Sequence, residues 1–215
     1  MALKPHNIKI YLLAKDLYLK NKWSVPKISK HLNISLFRIY RLFRVMGLKR
    51  RTPTESNRIN YEVQKPSFVL KEELNSKNII LKILGISLYW CEGSKWEGAN
   101  QVDFANSDPK MIIVFMRFLR NICGVNEKKL RGSLYCYSNH NVKLLEKYWS
   151  RITGISLAQF QKSYVRTDFR NDKKHKMPHG LFHIRYADKK LVNLLKLWIE
   201  DYSNKWVGGR VVNCT

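Results

Sequence analysis

One stretch of the sequence, residues 79–91, constrains the fold more than any other because it is apolar on almost every side. A lysine, a glycine and a serine are its only departures from bulky or apolar side chains. A helix of this kind buries most of its surface in protein, and it is too short to span a membrane. The stretch ends at a carboxylate followed by glycine, Glu92-Gly93. We therefore predict a central buried helix that carries an acid at its end.

Small side chains on this helix would let a second helix come close. Ser87 and Cys91 are four residues apart and share one face, and Gly85 is small as well. We predict a helix–helix interface at Gly85, Ser87, Leu88 and Cys91. The sequence holds a single copy of this apolar, acid-tipped helix, so a pair of such helices has to come from two chains. A homodimer is the expected state.

The charge of the chain points to a polyanionic partner. Its 215 residues carry 40 Lys and Arg against 16 Asp and Glu, a formal net charge of +24. An excess of this size favours nucleic acid. An anionic membrane surface is the alternative, but the basic residues are spread along the chain and do not line one amphipathic helix. We predict double-stranded DNA as the partner, with no membrane and no small-molecule cofactor.

Cysteine usage indicates a reducing compartment. The four cysteines, at positions 91, 123, 136 and 214, form no CxxC pair, which argues against a zinc ribbon and favours free thiols. The N-terminal segment shows no signal-peptide pattern. We therefore expect a cytoplasmic protein, associated with the nucleoid if its source is prokaryotic.

The first 52 residues predict three helices. A helix over 7–21 is followed by a short one over 25–32, which Ser24 can cap and which holds a proline in its first turn. A tight turn at 33–35 leads to a third helix over 36–46. Two short helices joined by a tight turn follow the helix-turn-helix plan. Residues 25–35 resemble the helix-turn-helix of resolvase-type recombinases and of many regulators.

Basic residues of the third helix are the predicted DNA contacts. Arginines spaced by three fall on its outer face and can enter a major groove, and a basic run follows as a phosphate-binding segment. Residues 1–60 hold fourteen Lys and Arg but two Asp and Glu. A small helical bundle with a solvated basic face is the alternative. The predicted contacts are Ser35, Arg38, Arg41, Arg44, Lys49, Arg50 and Arg51.

The remaining chain predicts a linker, an α+β core and a tail. Residues 53–75 lose periodicity and read as a linker, 76–205 form the core, and 206–215 form a C-terminal tail. Strands are predicted at 99–106, 129–137, 160–166 and 180–186, with helices at 110–122, 141–152 and 191–202. His175, His179 and His183 recur every four residues, but Pro178 and Gly180 argue against a helix, so a mobile basic loop is expected around 175–179.

Residues 84–93, Leu-Gly-Ile-Ser-Leu-Tyr-Trp-Cys-Glu-Gly, resemble a LAGLIDADG helix in the variants that end in Glu-Gly. The resemblance extends over residues 77–203 through the order of helices and strands. It implies a helix-plus-antiparallel-sheet core that lies over DNA, preceded here by the small all-α helix-turn-helix domain. Ser87 stands where the family usually has glycine, and Trp90 where the family often has an earlier acid.

The resemblance also implies a metal centre. In the family the acid at the foot of each paired helix binds divalent ions that cleave DNA, which assigns Glu92 as metal ligand and catalytic residue, with the carbonyl of Cys91 beside it. Asp103 is a further candidate metal ligand and Lys95 a candidate catalytic cation. The expected metal is Mg²⁺ or Mn²⁺. By the same analogy Lys162, Arg166 and Arg185 lie on strands that face DNA.

Each of these assignments has a plainer alternative. Glu92 could merely end a core helix, and Lys95 could be a surface lysine. For the whole chain, the leading hypothesis is a metal-dependent DNA endonuclease that acts as a homodimer. The rival is a DNA-binding transcription regulator that has lost cleavage on the same fold, and RNA binding is a third possibility against which the helix-turn-helix argues.

Overall fold

The computed structural model describes residues 5–167 and 177–207. The chain divides into two compact units, Met1–Lys65 and Pro66–Thr215. The first unit is all helical and the second combines helices with a four-stranded sheet, so the protein is of the α+β class. Among the residues described, no helix has both the length and the apolar character that crossing a membrane requires.

The first unit consists of short helices with well-formed caps. Its helices are α1 Pro5–Leu19, α2 Val25–Leu32, α3 Leu36–Val45 and α4 Pro53–Val63. Ser24 and Ser35 begin α2 and α3, each with a side-chain oxygen that accepts a backbone N–H three residues on. Asn33 ends α2 in the left-handed conformation that asparagine tolerates. The predicted turn between the two helices is therefore present.

The core of this unit is built from one face of each of the first three helices. Ala14, Ile28 and Ile39 are fully buried. The ring of Phe43 on α3 packs 5.1 Å from that of Tyr18 on α1. These contacts turn one side of α3 inward, so its opposite side faces solvent.

The predicted linker was wrong over its first half, because residues 53–63 form α4. Thr52 and Glu55 make a capping box in which each side chain accepts the backbone N–H of the other residue. The helix has no buried residue. Its sequence therefore lacks the periodic apolar pattern from which a helix is predicted. Lys22 joins it to the turn after α1 through an ion pair of 2.8 Å with Glu62.

The second half of that linker belongs to the second unit. Ser67 accepts a hydrogen bond from Lys129, and its backbone N–H and hydroxyl both donate to Asp188, at 2.8 and 2.6 Å. Burial raises the pKa of Asp188, but these hydrogen bonds outweigh it and hold the pKa below its usual value. Phe68 then makes a β-bridge to Val125. The unit therefore begins ten residues before its first helix.

The elements of the second unit follow the predicted order closely. They are α5 Ser76–Glu92, β1 Val102–Asn106, α6 Pro109–Asn121, β2 Leu130–Tyr137, α7 Val142–Thr153, β3 Tyr164–Arg166, β4 Leu181–Tyr186 and α8 Lys189–Val207, with short 3-10 turns at Glu127–Lys129 and Leu157–Gln159. A single β-bridge also joins Gly93, just after α5, to Phe104 of β1.

The sheet has the strand order β1-β4-β2-β3, and it is mixed where an antiparallel sheet was expected. The pairs β1–β4 and β4–β2 are antiparallel, whereas β2 and β3 run parallel. The cause is α7, which crosses between β2 and β3. A crossover connection of this kind returns the chain in the same direction, as a hairpin cannot.

Helices cover one face of this sheet. Along β4, Phe182, Ile184 and Tyr186 are fully buried while the residues between them are partly exposed, the alternation of a strand with one covered face. Phe115 of α6 stacks on Phe104 of β1, with ring centroids 4.2 Å apart. The other face of the sheet is open, and it carries the polar side chains described below.

We predict that Gly85→Ala destabilises the second unit. A Cβ at this position would lie 2.1 Å from Cγ of Phe118, a fully buried ring of α6 that cannot withdraw. Overpacking of this kind typically costs about 1–3 kcal/mol. Urea unfolding followed by circular dichroism measures the loss. Ser87→Ala, on the exposed side of the same helix, is the control and should change stability by less than about 0.5 kcal/mol; equal stability of the two variants would contradict the packing.

Candidate nucleic-acid interface and metal site

The predicted recognition helix α3 presents its arginines to solvent. Arg38, Arg41 and Arg44 are all exposed on the side away from Ile39 and Phe43. Arg38 is held in place by a 2.9 Å hydrogen bond to Asn7 of α1. The arginines therefore lie where a DNA groove could reach them, and their contact with DNA stays a prediction.

The other predicted DNA contacts of this unit divide into two groups. Lys49 and Arg50 are exposed, and the Arg50 guanidinium lies 4.3 Å from the centre of the Tyr40 ring. Ser35 uses its hydroxyl to cap α3.

Arg51 is engaged inside its own unit. Its guanidinium donates to the carbonyl oxygens of Tyr18, Lys22 and Trp23, which closes the C-terminal end of α1. It also lies over the Tyr18 ring at 3.9 Å. In this conformation Arg51 serves the fold, and we remove it from the set of predicted phosphate contacts.

Helix α5 has a face buried against its own chain and an exposed face that is mostly apolar. Gly85 and Ile86 are buried, the first directly against Phe118 of α6. Leu88 packs on the same core. The predicted helix–helix interface was therefore misplaced at Gly85 and Leu88, because the closest approach of two helices at Gly85 occurs within one chain.

The exposed face of α5 contains the other two predicted interface residues. Ser87 and Cys91 are exposed, and Ile80 and Leu84 extend the same stripe, at 58% and 48% exposure. The positions 80, 84, 87 and 91 repeat at helical spacing. Ile83 and Trp90 flank the stripe and are also exposed. Counting apolar residues in the sequence could not separate this outer face from the buried one, because both are apolar.

Glu92 lies at the end of α5 with an exposed side chain. Within the part of the chain that the structure describes, its carboxylate makes no hydrogen bond or ion pair. The carbonyl of Cys91 belongs to the last turn of the helix, where carbonyl groups lack an intrahelical partner. Both oxygen donors are thus available to a ligand from outside the unit.

Lys95 is exposed, and its amino group binds the backbone of the turn at the end of α5. Its amino group donates to the carbonyl oxygens of Trp90 and Gly93, at 2.6 and 2.9 Å. A lysine that binds the last carbonyls of a helix is a common C-terminal cap. In this conformation the Lys95 charge stabilises the turn around Glu92.

Asp103 is held by His183 and Arg185 on the open face of the sheet. One carboxylate oxygen lies 2.8 Å from Nδ1 of His183, and the other accepts from Nε of Arg185 at 2.8 Å. Burial raises the pKa of Asp103, but its hydrogen bonds and charge interactions with His183 and Arg185 outweigh this and lower the pKa below its ordinary value. A carboxylate engaged in this way does not fit a metal ligand, and we withdraw it from the candidate site.

Arg185 is the centre of a larger network. Besides Asp103, its guanidinium donates to Oε1 of Gln161 at 2.6 Å and to the Tyr135 hydroxyl at 3.3 Å. The rings of Tyr135 and His183 lie 4.4 Å apart. Sequence reasoning missed Gln161, Tyr135 and the contact of His183 with Asp103. Tyr135 and His183 lie on strands, where alternate positions bring side chains to one face of a sheet.

The remaining predicted contacts lie near the edge of this open face. Lys162 is exposed just before β3, and Arg166 at the end of β3 lies 5.7 Å from the ring centre of Tyr137. Of the three spaced histidines, His183 lies in β4 within the predicted strand 180–186. In the predicted loop, His179 stacks on Tyr148 at 4.3 Å, and position 175 lies outside the described residues.

The predicted site residues therefore separate into an exposed helix face with an acid at its end and a polar network on the sheet. Among the residues described, no group of three or more His, Cys, Asp and Glu side chains meets in a way that could hold a metal ion.

Comparisons with protein-family models, with curated proteins and with solved structures give no significant match to this chain.

We predict that Asp103→Asn costs the second unit about 2 kcal/mol at pH 7, because it removes the carboxylate charge that pairs with Arg185 and hydrogen-bonds His183. The folded pKa of Asp103 lies below its ordinary value of 3.8, so the unfolded chain takes up the proton first as pH falls. The stabilisation is therefore complete above about pH 4 and disappears as pH falls through the lower, folded value.

Urea unfolding of the wild type and the variant at several pH values measures this difference. The two stabilities should converge in acid. Asp201→Asn, which changes an exposed aspartate of α8, is the matched control and should follow the wild type throughout. A difference between wild type and Asp103→Asn that is the same at pH 3 and pH 7 would contradict the role of the carboxylate charge.

Proposed function

We propose that this protein is a homodimeric, divalent-metal-dependent DNA endonuclease of the LAGLIDADG type, with the helix-turn-helix unit adding sequence recognition. The observation that carries the proposal is α5, whose exposed apolar stripe ends near the Glu92 carboxylate, which has no hydrogen-bond or ion-pair partner among the described residues. A stripe of this kind favours burial against a partner. Two copies joined along it would bring two Glu92 side chains to one axis.

DNA as the substrate is supported by charge and by the form of the first unit. The net charge of +24 favours a polyanion. Helix α3 offers an exposed side with three arginines, after a turn that fits the helix-turn-helix plan. On the sheet, Lys162 is exposed, whereas Arg185 is engaged by Asp103, Gln161 and Tyr135, so Lys162 is the better placed of these two to contact a phosphate.

Pairing through α5 is supported by what lies on its exposed face. The small residues Ser87 and Cys91 would allow close approach near the acid, and Ile80 and Leu84 would be removed from water further along. The apolar character of this face is otherwise a cost in an exposed helix. In the dimer the interface is therefore Ile80, Leu84, Ser87 and Cys91.

The donors at the foot of α5 fit Mg²⁺ or Mn²⁺. The carboxylate of Glu92 and the carbonyl of Cys91 are hard oxygen donors, and Mg²⁺ needs few protein ligands because it keeps several waters. A bound divalent ion would supply an activated water and neutralise charge on the leaving oxygen. Glu92 would hold the ion at the axis, while the Lys95 cap on Trp90 and Gly93 keeps the turn that carries the acid in one conformation.

A DNA-binding regulator without cleavage is the second candidate. It is favoured by the engagement of Asp103 with His183 and Arg185 and of Lys95 with two backbone carbonyl groups, which removes both residues from the set of candidate catalytic groups around Glu92. The exposed Trp90, which stands where the family often has an earlier acid, favours it as well. Both candidates bind DNA and both use α5 for pairing, so cleavage is the measurement that separates them.

We predict that the wild type cleaves plasmid DNA from a randomised library in Mg²⁺ or Mn²⁺, and that Glu92→Gln loses cleavage by at least a hundredfold while its DNA binding stays within about twofold. The amide keeps the shape of the side chain but removes the charge that holds the ion. Glu97→Gln, at a nearby exposed glutamate, is the matched control and should cleave normally. Binding without cleavage by every variant would move the assignment to the regulator, and cleavage by Glu92→Gln would place the metal elsewhere.

We predict that removing Arg41 and Arg44 together weakens DNA binding about tenfold or more at moderate salt. If both contact phosphates, the slope of log K against log salt also becomes shallower by about 0.9 per lost contact. Arg58→Ala, which removes one exposed charge from α4 of the same unit, should change affinity by less than about threefold. Fluorescence anisotropy at several salt concentrations, with a duplex selected by the wild type from random sequences, checks this. Equal losses of affinity in the α3 and α4 variants would contradict the role of α3 as the helix that enters the DNA groove.

A further inference from the structure

Phe37 presents an apolar ring to solvent in the first turn of α3. Its side chain is 76% exposed, although its neighbours on the same side of the helix are the exposed arginines Arg41 and Arg44. The hydroxyl of Ser35 caps the helix immediately before it, so the backbone of this turn is fixed. An exposed phenylalanine at such a position gains nothing for the fold of the first unit, whose core lies on the opposite side of the helix.

The ring shares one stripe of the helix with two arginines. Phe37, Arg41 and Arg44 stand at helical spacings of four and three residues, opposite the buried Ile39 and Leu42. Each of the three is exposed. An apolar protein partner that covered the ring would also have to desolvate both arginine charges. A DNA groove meets both requirements at once, because its walls are charged and its floor carries some apolar groups.

The chemistry of the major groove leaves few apolar groups for a phenyl ring to contact. Base edges there present hydrogen-bond donors and acceptors, which a phenyl ring cannot satisfy. The exception is the 5-methyl group of thymine, which phenylalanine can contact directly. The N-terminal residues of a recognition helix are the ones that reach the base edges, and Phe37 is the most exposed apolar residue of that turn.

We propose that Phe37 determines sequence specificity by contacting the 5-methyl group of a thymine in each half-site. Arg41, one turn further along the same stripe, then lies beside the neighbouring base pair or its phosphate. This inference rests on the proposed DNA binding of the first unit. It adds that the protein recognises one thymine methyl group in each half-site and that Phe37 is the residue that contacts it.

Deoxyuridine tests the contact because it differs from thymidine by that methyl group alone. The full chain selects its preferred sequence from random duplexes in EDTA, where a metal-dependent nuclease cannot cut. The enriched duplex is then resynthesised with deoxyuridine at each thymine in turn. Binding is measured for the wild type, for Phe37→Ala, and for Val45→Ala as a control that removes an exposed apolar side chain from the other end of α3.

Each half-site should contain one thymine whose single replacement by deoxyuridine weakens binding of the wild type and of Val45→Ala by about fourfold, as burial of one methyl group implies. Phe37→Ala should bind the thymine and deoxyuridine duplexes equally well. A wild type that is insensitive to every deoxyuridine substitution overturns the inference, whatever the folding of the variants. Equal sensitivity in Phe37→Ala overturns it too and leaves the DNA-binding proposal standing, whereas no binding to any duplex overturns both.

Discussion

The close packing of α5 on α6 is the contact on which the rest of the second unit depends. Gly85 has no side chain, so the ring of Phe118 lies directly against the backbone of α5. This contact fixes which side of an almost wholly apolar helix faces the core. It therefore also determines that Ile80, Leu84 and Cys91 face outward and that Glu92 ends the helix in solvent. One small residue thus sets the position of both the candidate interface and the candidate acid.

Charged side chains in this protein have two different roles, which their hydrogen bonds distinguish. Asp103, Arg185 and Arg51 are engaged with partners in their own unit, where they stabilise the sheet face and the end of α1. Glu92 and Arg41 are exposed, so a partner outside the unit can use them. The proposed chemistry and the proposed DNA recognition both rest on this second group.

Sequence patterns predicted the elements well and the partners of side chains poorly. The hydrophobic periods and capping serines placed α2, α3 and α6 within a few residues, because these features act locally. They missed α4, whose capping box was present but whose surface buries nothing. Asp103 was also wrongly assigned to a metal. The residues that hold it come from β4, about eighty positions away, and no local sequence pattern shows which strands pair.

The pairing of two α5 helices is tested most directly at Cys91, an exposed thiol on the proposed interface, whereas Cys123 and Cys136 are buried. With Cys214 replaced by serine, a short bis-maleimide should join two chains through Cys91 in the presence of DNA. Leu84→Lys should abolish the product, and Leu144→Lys, at an exposed leucine of α7, should not. A chain that sediments as a monomer with DNA bound and gives no Cys91-linked dimer would contradict the account.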